Sequence, residues 1–117
     1  MPKSLPVIDT SAPICCAPVA SAPMDEDAAL EVALRLKAIA DPVRVRLMSL
    51  LLAGDEVCTC DLAPAVGVSE ATVSHHLTVL RKAGLITDGE RRGMNVYYAA
   101  RREALYALCR VIDPTCC

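Results

Sequence analysis

The chain contains no Phe and no Trp, and Tyr occurs only three times in its 117 residues. A hydrophobic core must therefore be built from aliphatic side chains. No segment approaches the roughly 20 apolar residues that a membrane-spanning helix needs. Residues 1–13 carry one Lys and no apolar run, which is not the pattern of a signal peptide. We therefore expect a single cytoplasmic domain without membrane contact.

Cysteine, in contrast, occurs seven times. In the cytoplasm thiols stay reduced, and an odd number argues against a disulfide framework. An isolated cysteine is most often a small buried residue, whereas clustered thiols bind soft ions or react with oxidants. Clustering therefore indicates metal, metalloid or redox chemistry. The three groups are Cys15-Cys16, Cys58 with Cys60, and Cys109 with Cys116-Cys117.

The chain divides into three segments by composition. Residues 1–24 hold five of the eight prolines and no periodic apolar pattern, which predicts a flexible N-terminal arm carrying Cys15-Cys16. Residues 25–113 follow helical and strand-like patterns and are the predicted folded domain. Residues 114–117 are a short cysteine-containing tail.

The folded domain begins with two predicted helices. The first spans 25–40 and follows an acidic N-terminus that suits the helix dipole, with an apolar stripe through Leu30 and Leu34. Asp41-Pro42 begins the second, because Asp is a good N-cap and Pro suits the first helical position. This helix ends near Gly54.

The next two helices form a predicted helix-turn-helix. A short helix over 60–66 is capped by Thr59, and Gly67 supplies the turn. Ser69 caps a longer helix over 70–83 that closes at Gly84, and we expect Val73, Leu77 and Leu80 to form its inward face. The pattern is typical of DNA-binding domains, in which the second helix enters the major groove.

A β hairpin and a last helix complete the prediction. Strand-like runs over 85–87 and 95–98 flank the turn residues 88–93, and such a hairpin beside a helix-turn-helix is called a wing. Residues 101–113 follow helical spacing, with an apolar face that includes Cys109 and Ile112. The predicted fold is mainly α with a two-stranded β wing, a winged helix-turn-helix.

Charge and polarity favour a DNA-binding role over a merely solvated helical domain. Residues 1–68 hold five Lys or Arg against nine Asp or Glu, whereas 69–112 hold seven against four. Positive charge gathered on one face lets an acidic protein bind DNA. Adjacent histidines diverge by ~100° on a helix, so they cannot chelate one ion together. We expect His76 to be packed or capping. The candidate DNA contacts are Thr72, Ser74 and His75 on the helix, and Arg91 and Arg92 at the wing tip.

The chain resembles the ArsR/SmtB family of winged-helix metalloregulatory repressors over about residues 28–112. This resemblance implies a homodimer, held by the first and last helices, that binds double-stranded operator DNA and releases it when an inducer binds. It places Glu70, Thr72, Ser74 and His75 on the operator, with Arg91 and Arg92 in the wing. The matching segments are ADPVRVRLMSLL, EVCTCDLA, VSEATVSHHLTVLRKAGLI and ERRGMNVYYA.

The segment EVCTCDL resembles the metal box of that family, with one departure. The arsenic-sensing version carries a third cysteine shortly after the C-x-C, but here position 63 is Ala. As(III) prefers three thiolates, so the missing ligand must come from elsewhere. About ten extended residues from Cys16 to the first helix span ~33 Å, enough to reach the metal box of the same chain or of its partner.

An N-terminal Cys-Cys pair that joins a cysteine near the helix-turn-helix resembles the actinobacterial-type arsenic repressors of this family. The resemblance implies As(III) or Sb(III) as the inducer, with no organic cofactor. The expected ligands are Cys15, Cys16 and Cys58, with Cys60 as a substitute or fourth ligand. The last helix has no His, which argues against the Zn, Ni or Co site that some family members place there. A less favoured second group resembles three-cysteine sites at the end of the last helix and consists of Cys109, Cys116 and Cys117.

Two alternatives stay open within the same fold. An N-terminal cysteine pair plus the C-x-C offers four thiolates, which suits a Cd(II)/Pb(II)-responsive repressor. A thiol-redox-sensing repressor would instead respond to oxidants. An enzyme is not expected, because no Cys/His/acid constellation with an orienting residue is present in the sequence.

Overall fold

The computed structural model describes residues 23–112, which fold into five helices and a small sheet. The predicted fold class is confirmed, whereas the domain boundaries near residues 24 and 113 stay predictions. In the described part of the chain, no helix combines the length and apolar character needed to cross a membrane. The elements are α1 Glu26–Ile39, α2 Pro42–Ala53, β1 Val57–Cys58, α3 Thr59–Val66, α4 Glu70–Lys82, β2 Glu90–Arg92, β3 Asn95–Tyr98 and α5 Arg102–Ile112.

Side chains that accept backbone N–H groups set where the helices begin. Asp41 and Ser69 cap α2 and α4 as predicted. The predicted cap of α3 is wrong, because this helix begins at Thr59 itself and its N-cap is Cys58. The sulfur of Cys58 replaces the expected hydroxyl as the acceptor.

The core lies between α2, α3 and α4 and is entirely aliphatic. It confirms the inward face predicted for α4, and α3 and α4 both pack against α2. Burial of several large aliphatic side chains compensates for the absence of Phe and Trp. The most deeply buried residues are Leu47, Leu51, Leu62, Val73, Leu77, Leu80, Leu85 and Ile86.

The two outer helices turn different faces inward than predicted. In α1 the buried residues are Arg35 and Ala38, while Leu30 and Leu34 of the predicted stripe are only half-buried. In α5 the predicted face residue Ile112 is 59% exposed. Both helices carry apolar residues on several sides, so spacing alone does not determine which side meets the core of one protomer.

One of the two predicted wing strands is correct: β3 matches the predicted run over 95–98, whereas the first strand lies elsewhere. Residues 85–87 contribute one isolated bridge, between Ile86 and Ala100, and the first wing strand is β2, within the predicted turn. β2 pairs antiparallel with β3, and the connecting turn contains Gly93 at a φ of 66°. Leu85 and Ile86 are buried in the core. Aliphatic residues are common both in the core and in strands, which explains why this segment was predicted to be a strand.

A third strand joins the wing to the helix-turn-helix. β1 pairs antiparallel with β3, so the strand order is β1-β3-β2 and the predicted two-stranded wing is extended by one strand. The register places Val57 opposite Tyr98 and Cys58 opposite Tyr97. Because α3 follows β1 without a break, the wing and the start of α3 form one continuous structure.

The capping hydrogen bond of Asp41 should make the stability of the fold depend on pH. The N–H of Arg44 donates to the Asp41 carboxylate at 3.1 Å, and this hydrogen bond, with the charge of Arg44, lowers the pKa of Asp41. A lowered pKa in the folded state means that the carboxylate stabilises the fold above its unfolded pKa of about 4, and that this contribution disappears as the pH falls through the folded value.

We therefore expect Asp41→Ala to lower the Tm by about 5 °C at pH 7 and by less at pH 3. Asp41→Asn, which keeps an acceptor, should retain most of the wild-type Tm at both pH values. Thermal denaturation followed by circular dichroism measures both variants. An equal loss in the Ala and Asn variants would show that capping is not the role of this side chain.

Candidate functional site

Helix α4 presents a polar face opposite its buried one. The predicted contacts lie in the N-terminal half of the helix and are all exposed: Glu70, Thr72, Ser74 and His75. In the described residues the Ser74 hydroxyl and the His75 ring form no hydrogen bond. Side chains of this kind can meet base edges or phosphates when a recognition helix enters a major groove.

The N-terminal turn of α4 is tightly capped. The Ser69 Oγ accepts the Thr72 N–H at 3.2 Å and donates to Thr72 Oγ1 at 2.9 Å. One turn later, Thr78 Oγ1 donates to the Ser74 carbonyl at 2.9 Å. These hydrogen bonds fix the helical backbone that carries the exposed polar face.

His76 connects α4 to the first two helices. Arg44 of α2 donates from one guanidinium nitrogen to His76 Nδ1 at 3.1 Å and from Nε to the Ala38 carbonyl at 2.6 Å. Because arginine can only donate, Nδ1 of His76 is the unprotonated nitrogen in this contact. The half-buried His76 is thus a packed residue, as predicted, and the exposed His75 ring lies at a tilt beside it, with the two ring centroids 5.7 Å apart.

The two wing arginines differ in their surroundings. Arg91 is exposed, whereas Arg92 forms ion pairs with Glu56 at 2.6 Å and with Glu90 at 3.0 Å. The Arg92 guanidinium also lies 4.8 Å from the centre of the Tyr97 ring. The hydrogen bonds that Arg92 donates to Glu56 and, to a smaller extent, to Glu90 raise the pKa of Arg92. The predicted DNA contact of Arg92 therefore competes with two carboxylates.

The first thiol group lies at the junction of β1 and α3. Cys58 and Cys60 are joined by a disulfide, which differs from the expectation that the thiols are reduced. Their Cα atoms are 5.1 Å apart, a separation that a disulfide spans readily. Cys58 is 2% exposed, Cys60 is exposed, and the Cys60 N–H donates to Cys58 Sγ at 3.1 Å.

The other predicted thiol ligands lie either on α5 or outside residues 23–112. Cys15, Cys16, Cys116 and Cys117 lie outside the described residues. Cys109 is half-buried on α5 and is disulfide-bonded. Ala63, at the position of the family's third cysteine, is buried in the core. Between residues 23 and 112, no three His, Cys, Asp or Glu side chains form a group that could hold a metal ion.

Known proteins share this combination of helix-turn-helix and wing. The family model "Bacterial regulatory protein, arsR family" matches residues 41–88, from the cap of α2 to just beyond α4. The transcriptional repressor SmtB homolog of Synechocystis sp. is 50% identical over 76 residues, which are 65% of this chain and 56% of that protein. The cadmium resistance regulatory protein CadC of Listeria innocua is 40% identical over 62 residues, 53% and 51% of the two chains. Both relatives are thus spanned over little more than half their length.

A third relative and two solved structures are covered more completely. The transcriptional repressor SdpR of Bacillus subtilis is 38% identical over 69 residues, 59% of this chain and 74% of that protein. The crystal structure of a possible transcriptional regulator for arsenical resistance is 36% identical, with a TM-score of 0.59, over 64% of this chain and 76% of the other. A homodimeric winged helix-turn-helix DNA-binding domain from Mycobacterium bovis is 29% identical, with a TM-score of 0.62, over 76% and 83%.

These similarities confirm the resemblance drawn from the sequence. The family model covers α2, β1, α3 and α4, which carry the exposed polar face of α4 and the Cys58–Cys60 pair. Identity above 30% extends over most of the length of SdpR and of the arsenical-resistance regulator. The chain belongs to the arsR family of bacterial regulatory proteins, which are DNA-binding transcriptional regulators and not enzymes.

Proposed function

We propose that this chain is a homodimeric repressor that binds operator DNA and releases it when its cysteine thiolates bind As(III) or Sb(III). The observation that carries the proposal is the position of Cys58 and Cys60 between the wing and the first helix of the helix-turn-helix. A ligand that binds these thiols acts directly on the wing and on α3, which packs against the recognition helix α4.

The DNA-binding part of the proposal rests on α4 and the wing. Glu70, Thr72, Ser74 and His75 form one exposed polar face, and Arg91 extends from β2 on the same C-terminal half of the chain that carries the excess positive charge. Hydrogen bonds from the helix to bases supply specificity, while cations in the wing neutralise phosphates.

The dimerisation part of the proposal rests on the apolar surface of α5. Tyr106 is 63% exposed and Ile112 is 59% exposed, and a cavity of about 320 Å³ opens between Leu52, Leu105 and Tyr106. Contiguous exposed apolar side chains are typical of a surface that a partner covers. A two-fold dimer would present two copies of α4 to successive half-sites, ~34–36 Å apart.

The metalloid-binding part of the proposal rests on the preference of soft ions for thiolate ligands. Cys60 is exposed in the first turn of α3, where the helix dipole favours a thiolate. The disulfide must first be reduced, because only thiolates bind the ion. Cys58 and Cys60 then provide two ligands, and Cys15 or Cys16 of the same or the partner arm supplies the third that As(III) prefers.

Binding requires Cys58 to move. Its sulfur is buried and accepts a hydrogen bond inside the first turn of α3, so ligation must open this turn. Since α3 packs against α4, a shift of its first turn changes how the recognition helix is presented. A 100-fold loss of operator affinity needs about 2.7 kcal/mol of coupling, which metal–thiolate bonds can supply.

The disulfide favours a second candidate function, a repressor that senses oxidants through Cys58 and Cys60. Formation of this bond would itself be the signal, without any ion. A Cd(II)- or Pb(II)-responsive repressor is the other alternative, and the similarity to CadC keeps it open. The group Cys109, Cys116 and Cys117 stays the less favoured site for either ion class.

The proposed recognition face can be tested with an alanine pair. We expect Ser74→Ala and His75→Ala each to weaken binding to a duplex from upstream of the chain's own gene by about tenfold. Ser49→Ala is the matched control, because Ser49 is an exposed serine on α2 that donates only to the Arg46 carbonyl. Fluorescence anisotropy at fixed salt gives the affinities. Wild-type binding by both α4 variants would exclude this face as the DNA reader.

The proposed ligand set can be tested by arsenite titration of the reduced protein bound to that duplex. We expect the double variant Cys15→Ser/Cys16→Ser to need at least about ten times more arsenite for release, because it loses a thiolate ligand. The matched control is the tail double variant Cys116→Ser/Cys117→Ser, which should respond like the wild type.

The opposite ranking of these two variants would assign the site to the tail. Parallel titrations with Cd(II) and with hydrogen peroxide separate the alternatives, since a peroxide response without any ion identifies the oxidant sensor. No release by arsenite at any concentration would refute the metalloid proposal.

A further inference from the structure

A continuous set of contacts runs from the Cys58–Cys60 pair to the tip of the wing. We propose that Arg92 is a positioning residue that relays the state of this pair to the wing, and that it is not a DNA contact. The proposal deepens the proposed function and rests on it for its consequence at the operator, but the relay itself is a property of the protein without DNA.

The first step of the relay is the backbone of β1. Cys58 is the last residue of β1 and is paired with Tyr97 of β3, which in turn is paired with Glu90 of β2. β1 contains only two residues, so its attachment to the wing depends on very few backbone hydrogen bonds. A displacement of Cys58 therefore acts directly on the middle strand of the wing.

The second step is the side chain of Arg92. Its guanidinium binds Glu56, two residues before Cys58, and Glu90 on its own strand, while it lies over the ring of Tyr97. Arg92 thus holds both edges of the three-stranded sheet together across the residue that pairs with Cys58. We call Glu56, Glu90 and Arg92 the wing latch.

The third step is the limited strength of the wing latch. The side chains of Arg92 and Glu56 are 46% and 44% exposed, so water and salt screen their attraction. Such a contact contributes little to overall stability, but it is sufficient to favour one wing position over another. The hydrogen bonds that Arg92 donates to both carboxylates raise its pKa, which keeps it charged.

The neighbouring residue Arg91 supplies a contrast. Adjacent residues of a strand point to opposite faces, so Arg91 and Arg92 cannot share one role. Arg91 is exposed and pairs in register with Val96, outside the wing latch. Arg91 is therefore the wing cation suited to a phosphate, and Arg92 the one suited to holding the sheet.

The signal that the wing latch relays is the formation or cleavage of the Cys58–Cys60 disulfide. Two thiols and one hydrogen peroxide give the disulfide and two waters, as the S–S bond forms and the O–O bond breaks. Dithiothreitol reverses this by thiol–disulfide exchange and is itself oxidised to its cyclic disulfide. Arsenite ligation acts at the same sulfur after reduction.

The operator experiment separates a relay from a phosphate contact. The measured quantity is the ratio of duplex affinities of the reduced protein without and with saturating arsenite, repeated over a range of salt. For Arg92→Gln and Glu56→Gln we expect the ratio to fall at least about fivefold, with the salt dependence of binding unchanged. For the matched control Arg91→Gln we expect weaker binding in both states, an unchanged ratio and a salt slope reduced by about one.

The opposite pattern would overturn the proposal. If Arg92→Gln lowers the salt slope by about one and leaves the ratio unchanged, Arg92 is a phosphate contact. An unchanged ratio in Glu56→Gln would equally exclude the latch.

A second experiment tests the relay without DNA or arsenite. Hydrogen–deuterium exchange of the segment 90–98 is compared between the disulfide form and the dithiothreitol-reduced form. We expect exchange to differ at least about fivefold in the wild type, by much less in Glu56→Gln, and not at all in Cys60→Ser, which cannot form the bond. Equal wing exchange in both wild-type forms overturns the relay, whereas a difference in exchange without any arsenite effect on DNA binding overturns only the proposed function.

Discussion

The pairing of Cys58 with Tyr97 is the contact on which the arrangement of this protein depends. It attaches β1, which leads directly into α3, to the middle strand of the wing. The first helix of the helix-turn-helix is thereby joined to the hairpin. Without the pairing of β1 with β3, the sheet would be reduced to the two-stranded hairpin of β2 and β3, held by the contacts of β3 with α3 and of Tyr98 with the core. The thiol that is proposed to receive the signal is thus also the residue that joins the two DNA-binding elements.

The recognition helix is held in a different way, by burial and by one cationic contact. Val73, Leu77 and Leu80 fix its inner face in the aliphatic core, and Arg44 connects His76 to the end of α1. α4 is therefore tied to the rigid part of the fold, whereas the wing is tied to the thiol pair. A signal at Cys58 is expected to change the position of the wing relative to α4 more than it changes α4 itself.

The sequence predicted the features that local chemistry controls. The caps Asp41 and Ser69, the Gly67 turn and the inward face of α4 follow from short-range spacing and match the structure. The first wing strand was misplaced because Leu85 and Ile86 have strand-like side chains but fill the core, whereas the second predicted strand, 95–98, matches β3. The strand β1 is too short to show any alternation, and the ion pair of Arg92 with Glu56 joins residues far apart in the chain, so neither could be foreseen from periodicity. The disulfide differs from an expectation drawn from the cellular compartment and from the odd number of cysteines, neither of which depends on the distance between Cys58 and Cys60.

The most direct test follows the backbone amides of the reduced protein by two-dimensional ¹H–¹⁵N NMR before and after one equivalent of arsenite. If Cys58 is a ligand that acts on the wing, the largest shifts will fall on Cys58, on Tyr97 and on the strand Glu90–Arg92, with smaller shifts in α4. Shifts confined to α5 and the residues that follow it, with an unchanged wing, would contradict a sensor built on Cys58 and would place the ion at the C-terminal cysteines.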